Sequence, residues 1–277
     1  MMKVALRRTS NSMISYSIEV SCKHMPDISV IIICRDEAEQ INDCLQSVQW
    51  ADEIIVVDSG STDETREIAA RHTPHVHNVE WKGFGPQKNH ALSLATGEWV
   101  FSIDCDERAQ QGMEDEVRRL IQQSHHDGYE VPRYNWFCGQ RVKFGDWSGD
   151  RVLRLFRRAS GRFTDDAVHE RIVVDGSIGR LRTPLEHHTI RTRDQHRDKI
   201  QYYTELTTRL GQQAGKRSSL FKAAMHGSWA FLRGYVFKGG MLDGRAGWCI
   251  ASGQAKSVWW RYKAIARGTP PEQAAPR

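Results

Sequence analysis

The first half of the chain alternates the patterns of buried strands with those of helices. The runs Ile28–Cys34 and Glu53–Asp58 are too continuously apolar to be half exposed, so they predict strands covered on both faces. Between them, Ile41, Leu45 and Val48 follow helical spacing. Strands and helices that alternate over short links predict parallel βαβ units. We therefore expect an α/β domain with a mostly parallel sheet and helices on both faces.

The same alternation continues to about residue 125. Further strands are predicted at residues 76–80 and 99–103, and further helices at 64–71, 88–94 and 112–123.

The pattern changes after about Gly128. Shorter, partly antiparallel strands are predicted at residues 129–137, 152–157, 171–174 and 179–181. From residue 195 to 267 the spacing is helical and aromatic side chains are frequent.

Both ends of the chain lack these patterns. Residues 1–26 carry early Lys and Arg but no continuous apolar centre, so they predict a disordered leader rather than a signal peptide. An over-extended start, with Met25 as the true first residue, is the alternative. Residues 268–277 predict a disordered tail.

Composition and charge narrow the class of protein. The 277 residues have a mean hydropathy of −0.57, and no apolar run approaches the roughly 20 residues that cross a bilayer. The six cysteines are scattered without zinc spacing, which is typical of reduced cytosolic thiols. A net charge of +5 indicates an anionic partner: a nucleotide, a phosphorylated substrate or a membrane surface.

Three of the predicted strands end in acidic or polar residues. These ends read RDE at 35–37, DSGSTD at 58–63 and DCDE at 104–107. In parallel α/β sheets, ligands bind beyond the carboxyl ends of the strands. The third end suits a divalent cation, Mg²⁺ or Mn²⁺, held against a substrate diphosphate. A solvated acidic turn that caps the next helix remains the alternative.

Four motifs in the first half resemble glycosyltransferase family 2, the inverting nucleotide-sugar transferases of A-type fold. They are SVIIICRDEAE, EIIVVDSGSTDET, GFGPQKNHALSLATGEWV and FSIDCDER, in the family's order and at its spacing. The resemblance implies a nucleotide-sugar site formed by eight residues: Arg35, Asp36, Glu37, Asp58, Gln87, Lys88, Asn89 and Asp104. It also implies that Asp104 and Asp106 are the metal-binding pair. Cys105 stands where the family usually has Ala, and a small side chain still fits.

Motifs of the second half resemble the branch of family 2 that builds the lipopolysaccharide inner core. They include GDWSGDRVLRLFRR, FTDDAVHERI and GGMLDGRAGW. The resemblance implies UDP-glucose as donor and a core heptose or similar glycolipid as acceptor. It divides the chain into a donor half at 27–125, an acceptor half at 126–194 and a helical region at 195–267. It places the enzyme in the cytoplasm, at the inner face of the inner membrane.

Inversion needs a carboxylate that takes the proton from the acceptor hydroxyl. The candidates are Asp165, Asp166 and Glu170, and Glu170 is preferred because the resemblance places its HER triplet on the acceptor side. His169 is expected to orient a group or contact phosphate. Each acid has an alternative role as a strand-edge charge paired with a nearby Arg.

Two further features indicate anionic ligands. Arg154, on a predicted strand, can grip a diphosphate or a phosphorylated acceptor with two parallel hydrogen bonds. Aromatic and cationic side chains mix in the last sixty residues, which is typical of a helix lying on an anionic leaflet. The alternative is that these aromatics pack on the α/β domain.

Two other classes of protein compete. A nucleotidyltransferase also pairs acids on an α/β sheet, but no Gly-rich loop with a following Lys or Arg comes after the first strand. A module that binds nucleic acid or an anionic membrane without catalysis explains the basic excess. Such a module does not explain the acidic turns, because their carboxylates repel phosphate. We therefore expect no nucleic-acid partner.

Overall fold

The computed structural model describes residues 27–123, 125–165 and 170–269. The elements of the first half are β1 Ile28–Cys34, α1 Ile41–Ser47, β2 Glu53–Asp58, α2 Thr65–Ala70, β3 His75–Asn78, α3 Phe84–Leu94, β4 Trp99–Ser102, β5 Glu107–Ala109 and α4 Met113–Gln123. Those of the second half are β6 Gly128–Phe137, β7 Gln140–Arg141, β8 Asp150–Arg157, β9 Gly161–Phe163, β10 Ile172–Val174, β11 Ile178–Arg180, β12 Leu185–Ile190, α5 Arg193–Gln213, α6 Leu220–Phe231 and α7 Gly244–Arg267.

One mixed sheet organises the molecule, in the order β3-β2-β1-β4-β8-β6-β12-β5. Its first four strands are parallel, and β8 joins them antiparallel to β4. The predicted α/β class is therefore confirmed. The second half adds an antiparallel pair of predicted strands, β8 with β6, and β12 pairs antiparallel with β5.

Helices cover both faces of the parallel part. Val30 and Ile32 of β1 pack with Ile41 of α1 and Val117 of α4. Ile31, which points the other way, packs with a second cluster that includes residues of α3 and β9. Because successive side chains of a strand alternate between faces, a central strand between two cores is apolar at nearly every position, and the buried Ser29 donates its hydroxyl to Glu53.

Two predictions needed correction. Helix α3 begins at Phe84, one turn before the predicted start at residue 88. Its Pro86 lies in the first turn, where no backbone N–H is needed within the helix. Strands β5 and β12 were not predicted, since β5 lies inside the acidic motif and β12 carries the polar sequence LEHHTI.

The C-terminal region is helical, as predicted. Thr192 and Gln195 form a capping box at the start of α5, which stabilises a helix of 21 residues. A π-helical stretch, Leu232–Phe237, and a 3₁₀ turn, Gly240–Asp243, connect α6 to α7. Among the described residues no helix is both long and apolar enough to cross a membrane. The predicted leader and residues 270–277 of the predicted tail lie outside the described residues.

Candidate active site

The polar ends of β1, β2 and β4 meet at one edge of the sheet. Cys34 of β1 pairs with Asp58 of β2, and the Cys105 thiol donates to the Ile33 carbonyl at 3.5 Å. The acidic turn after β4 therefore lies level with the end of β1. A cavity of about 540 Å³ opens here, and its lining includes Arg35, Glu37, Lys88, Asp104, Asp106 and Glu170.

Asp104 is held by two cations. Its Oδ1 accepts from Lys88 Nζ at 3.0 Å, and its Oδ2 from Arg154 Nη2 at 2.5 Å. Burial opposes ionisation, but the charges of Arg154 and Lys88 outweigh it and hold the pKa of Asp104 well below its usual range. Asp104 is thus a carboxylate with both oxygens engaged, and it ties α3 and β8 to the acidic turn.

Arg154 also binds the last acid of the motif. Its Nη2 donates to Glu107 Oε1 at 2.6 Å, and Glu107 has no exposed surface. Burial disfavours the charge of Arg154, but Asp104 and Glu107 raise its pKa above the ordinary value. Its Nε is buried and has no hydrogen-bond partner among the described residues. Arg154 is therefore a buried cation that binds two acids through Nη2, not part of a solvated sheet face.

Asp106 faces an imidazole. Its Oδ2 lies 3.1 Å from His187 Nε2, on strand β12. The other ring nitrogen, Nδ1, lies 2.6 Å from Asn135 Oδ1, and the Asn135 amide is oriented because Nδ2 donates to the Trp147 carbonyl at 2.7 Å. Nδ1 must therefore carry the proton, and in a neutral ring the lone pair of Nε2 points at the Asp106 carboxylate.

Two acceptors that face each other need a cation or a proton between them. A divalent metal held by Asp106 and His187 satisfies both, and Asn135 then orients the histidine ligand from behind. The described residues contain no cluster of three or more His, Cys, Asp or Glu suited to a metal. A metal held by Asp106 and His187 would need further ligands from substrate phosphate and water, as Mg²⁺ commonly does.

Glu170 reaches the same cavity from the second half of the chain. Its Oε1 accepts from Lys88 Nζ at 2.9 Å, so one ammonium bridges Glu170 and Asp104. Burial disfavours the charge of Lys88, but the two acids raise its pKa. Asp165 is exposed, while Asp166 and His169 lie outside the described residues.

A glycine brings this loop against α3. A Cβ at Gly85 would lie 2.0 Å from the Thr164 carbonyl, so only glycine permits the contact. Asn89, one turn later, donates to the Phe163 carbonyl and accepts from the Phe163 N–H, each at 2.9 Å. Asn89 therefore fixes β9 to α3 in the manner of a backbone partner.

The remaining predicted nucleotide contacts divide into two groups. Arg35 is exposed and Glu37 half-buried at the cavity, where burial raises the pKa of Glu37. Asp36, at φ 53°, accepts from the Thr62 N–H at 2.8 Å and links the two loops after β1 and β2.

Asp58 and Gln87 are buried supports in this structure. Asp58 accepts from the N–H groups of Gly60 and Ser61 at 3.0 and 2.9 Å, which shapes the turn after β2. Gln87 donates to Ser59 Oγ at 3.1 Å. Their contacts with a nucleotide stay predictions.

Residues 29–222 match the family model described as glycosyl transferase family 2. The chain belongs to glycosyltransferase family 2. The A-type fold expected from the four motifs is therefore confirmed together with the family.

Two curated relatives of the chain are named as glycosyltransferases. The chain is 29% identical over 255 residues to the lipopolysaccharide core biosynthesis glycosyltransferase LpsC of Rhizobium meliloti (strain 1021), with 87% of this chain and 94% of LpsC covered. It is 26% identical over 227 residues to an uncharacterized glycosyltransferase of Rickettsia prowazekii, with 77% and 78% covered.

Solved structures with similar topology are more distant. S. aureus TarS residues 1–349 in complex with UDP is 16% identical, covers 87% of this chain and 92% of its own, and has a TM-score of 0.44. Glucosyl-3-phosphoglycerate synthase from Mycobacterium tuberculosis, in complex with Mn²⁺, UDP and glucosyl-3-phosphoglycerate, is 23% identical, covers 40% and 44%, and has a TM-score of 0.32.

Several residues that line the cavity of this family 2 glycosyltransferase were not predicted from its sequence. His187 was missed because β12 was missed, since LEHHTI does not alternate apolar and polar positions. Lys199 and Tyr203 line the cavity from α5, at a spacing of four that places them on one helix face. Trp81 and Phe84, in edge-to-face contact at 4.8 Å, form its aromatic rim.

A second cavity of about 620 Å³ adjoins the first, and the two share His187, Lys199 and Tyr203 as walls. It lies between the sheet and the helices α5 and α7, with Asn135 and Asp146 among its polar lining. The transferase thus has two adjacent spaces that share His187 as a wall, and Asp106 faces the first of them.

Asp146, between β7 and β8, binds the segment that connects α6 to α7, and we expect its replacement to lower the free energy of unfolding. It pairs with Arg233 Nη2 at 3.0 Å and Lys238 Nζ at 2.9 Å. Burial opposes its charge, but these partners lower the pKa of Asp146. Since the folded-state pKa lies below the unfolded value of about 3.9, the contribution is present at neutral pH and lost as pH falls.

Asp146→Asn should therefore lower the free energy of unfolding at pH 7 by about 1–2 kcal/mol. The difference from wild type should narrow as the pH falls below about 4. Urea denaturation at several pH values measures both effects. Asp175→Asn, at an exposed pair with Arg162, is the matched control with little change expected. A difference that grows in acid contradicts the assignment.

Proposed function

We propose that this family 2 enzyme is a metal-assisted inverting hexosyltransferase. It moves glucose from UDP-glucose onto a heptose of the lipopolysaccharide inner core or a similar glycolipid. The observation that carries the proposal is that two adjacent cavities share His187 as a wall, with Asp106 and Glu170 lining the first of them. A transferase needs a donor space and an acceptor space that join at the reacting atoms.

The first cavity supports donor binding. Trp81 and Phe84 offer aromatic faces to a nucleobase, and Arg35 and Lys199 offer cations to a diphosphate. Asp106 and His187 would hold Mg²⁺ or Mn²⁺, which when bound neutralises charge on the departing diphosphate. Asp104 supports this arrangement indirectly, because Lys88 and Arg154 occupy its oxygens and fix the turn.

Glu170 supports the inverting step. Its carboxylate lines the donor cavity and can accept the proton of the attacking hydroxyl. Lys88 orients it through the hydrogen bond to Oε1.

The second cavity supports a sugar acceptor. Asn135, Asp146 and Gln254 offer hydrogen-bonding groups, and Trp147 and Tyr203 offer ring faces. This mixture of polar groups and aromatic surface suits a carbohydrate better than a nucleic acid strand. The similarity to LpsC supports a lipopolysaccharide core acceptor. Sugar transfer is therefore favoured over nucleotidyl transfer and over a binding module.

Helix α6 supports contact with a membrane that carries such an acceptor. Its small residues Ala223, Gly227 and Ala230 are buried, and Gly227 approaches Trp259 of α7. Large apolar side chains of α6 and of the π-helical stretch that follows it face outward at helical spacing. We call this set the apolar stripe: Phe221, Met225, Trp229, Leu232 and Val236. They are 43–72% exposed. A helix that buries small side chains and exposes large ones fits an apolar environment outside the protein.

The proposal includes a location at the cytoplasmic face of the inner membrane, where UDP-glucose and a lipid-linked acceptor meet. It requires peripheral contact only, through the apolar stripe.

Sugar transfer itself tests the proposed function. Purified protein is incubated with Mn²⁺, a panel of labelled nucleotide sugars and lipopolysaccharide truncated to its heptoses. Label from UDP-glucose should enter the lipid, and NMR should show a β-linkage. Transfer from another donor would correct the sugar, and an α-linked product would overturn inversion.

A further inference from the structure

A third cavity, with a basic lining, lies away from the active site, among the three C-terminal helices. It has a volume of about 370 Å³ and lies between α5, α6 and α7. Four cations line it, from the end of α5 to α7: Lys216, Arg217, Lys222 and Arg261. His226 and Tyr262, stacked at 4.5 Å, form part of the wall, and the Arg261 guanidinium lies 5.0 Å from the Tyr262 ring centre.

These four cations lack acidic partners in the part of the chain that the structure describes. No ion pair among the described residues involves any of them. Residues 206–269 contain 11 Lys and Arg but one acid, Asp243. Asp243 is buried and accepts from the N–H groups of Lys143 and Phe144, so it does not compensate the cavity.

Like charges around one cavity repel each other and oppose folding. A bound anion removes that cost. Helix α6 adds to the attraction at its N-terminus, beside Lys222, where Ser219 caps the helix. Arg and Lys side chains and the free N–H groups at helix N-termini commonly bind phosphate oxygens in proteins.

The cavity adjoins the apolar stripe along the chain. Lys222 lines the cavity and directly follows Phe221, which at 72% is among the most exposed large apolar side chains of the protein. One turn on, His226 lines the cavity and Met225 belongs to the stripe. The helix therefore presents cations and apolar side chains side by side, as phosphate and acyl chain lie side by side in a lipid.

We propose that this cavity binds the phosphate of an anionic glycerophospholipid while the apolar stripe enters the acyl region. The inference rests on the membrane contact proposed above and is independent of sugar transfer. It assigns the choice of membrane to the cavity and the depth of insertion to the stripe.

Vesicle binding by the full chain tests the assignment. Co-sedimentation compares phosphatidylcholine vesicles with vesicles that also contain phosphatidylglycerol. Wild type should bind the anionic vesicles more tightly, and Arg217→Gln with Arg261→Gln should reduce that preference about thirtyfold, since each cation near an anionic surface contributes about fivefold. Arg71→Gln with Arg162→Gln, two exposed cations outside the C-terminal helices, is the matched control and should retain the preference.

Two further measurements separate the role of the apolar stripe from that of the cavity, and a loss of binding from a loss of folding. Trp229→Ser should weaken binding to both kinds of vesicle without changing the preference, because it removes apolar area and no charge. The Arg217/Arg261 variant should melt at the same or a higher temperature than wild type, since it relieves repulsion, which separates lost binding from lost folding.

An unchanged preference in the Arg217/Arg261 variant overturns the proposal. It is overturned as well if inorganic phosphate raises the melting temperature while wild type ignores anionic vesicles, since the cavity then serves a soluble anion. UDP binding measured on the same samples reports the active site. Vesicle selectivity with no UDP binding contradicts the proposed function alone.

Discussion

Glu170→Gln should reduce the rate of sugar transfer by a factor of about 10²–10⁴, the usual contribution of a general base. The substitution keeps the size and shape of the side chain and removes only the ability to accept the proton. Lys88 keeps its second partner, Asp104 Oδ1 at 3.0 Å, so the site should stay assembled. Single-turnover transfer, with UDP affinity measured in parallel, separates loss of chemistry from loss of binding.

Asp165→Asn is the control for Glu170. Asp165 belongs to the same loop and is exposed, and its replacement should leave the rate within about twofold. If Glu170→Gln keeps wild-type turnover while Asp165→Asn loses it, Asp165 is the base. If both variants turn over normally, Asp166 becomes the candidate.

Arg154→Met should lower the free energy of unfolding by about 3–5 kcal/mol, the cost of breaking a buried ion pair. Arg154 is 5% exposed and its Nη2 bonds both Asp104 and Glu107. Without it, Glu107, which is fully buried, keeps the Asp104 N–H at 3.2 Å and the longer contact with the Arg133 cation at 3.4 Å. Urea denaturation at neutral pH measures the loss.

Two further variants test whether this loss of stability comes from breaking the buried ion pair. Arg151→Met lies on the same strand at an exposed position, and we expect it to cost less than about 1 kcal/mol. Adding Glu107→Gln to Arg154→Met removes the orphaned charge and should restore part of the stability. A cost below about 1 kcal/mol for Arg154→Met alone would show that the ion pair does not hold the turn.

The parallel half of the fold could be predicted because its signals are local. The bounds of β1 and β2 follow from runs of β-branched residues, and the acidic turn after β4 is visible as a cluster of charges. Strand β12 could not be predicted in this way. It exists because it pairs with β6 and β5, about 50 and 80 residues earlier, and those partners leave no trace in LEHHTI.

The residues of the site could be predicted better than their partners. The four motifs identified Lys88, Asp104 and Asp106, and the HER triplet identified Glu170. That Lys88 and Arg154 would both bind Asp104 depends on how α3 and β8 pack around the turn, which spacing alone does not determine. His187 joins Asp106 only through the register of β12, so this histidine of the proposed metal site could not be identified from the sequence.

Calorimetric titration of UDP with and without Mn²⁺ tests the central claim most directly, on wild type and on Asp106→Asn. Wild type should bind UDP at least tenfold more tightly with Mn²⁺, since Asp106 and His187 leave coordination positions for the diphosphate. Asp106→Asn should lose this gain, while Asp175→Asn, an exposed control, should keep it. Equal UDP affinity with and without Mn²⁺ in the wild type, or an undiminished gain in Asp106→Asn, would contradict a metal-assisted donor site at this end of the sheet.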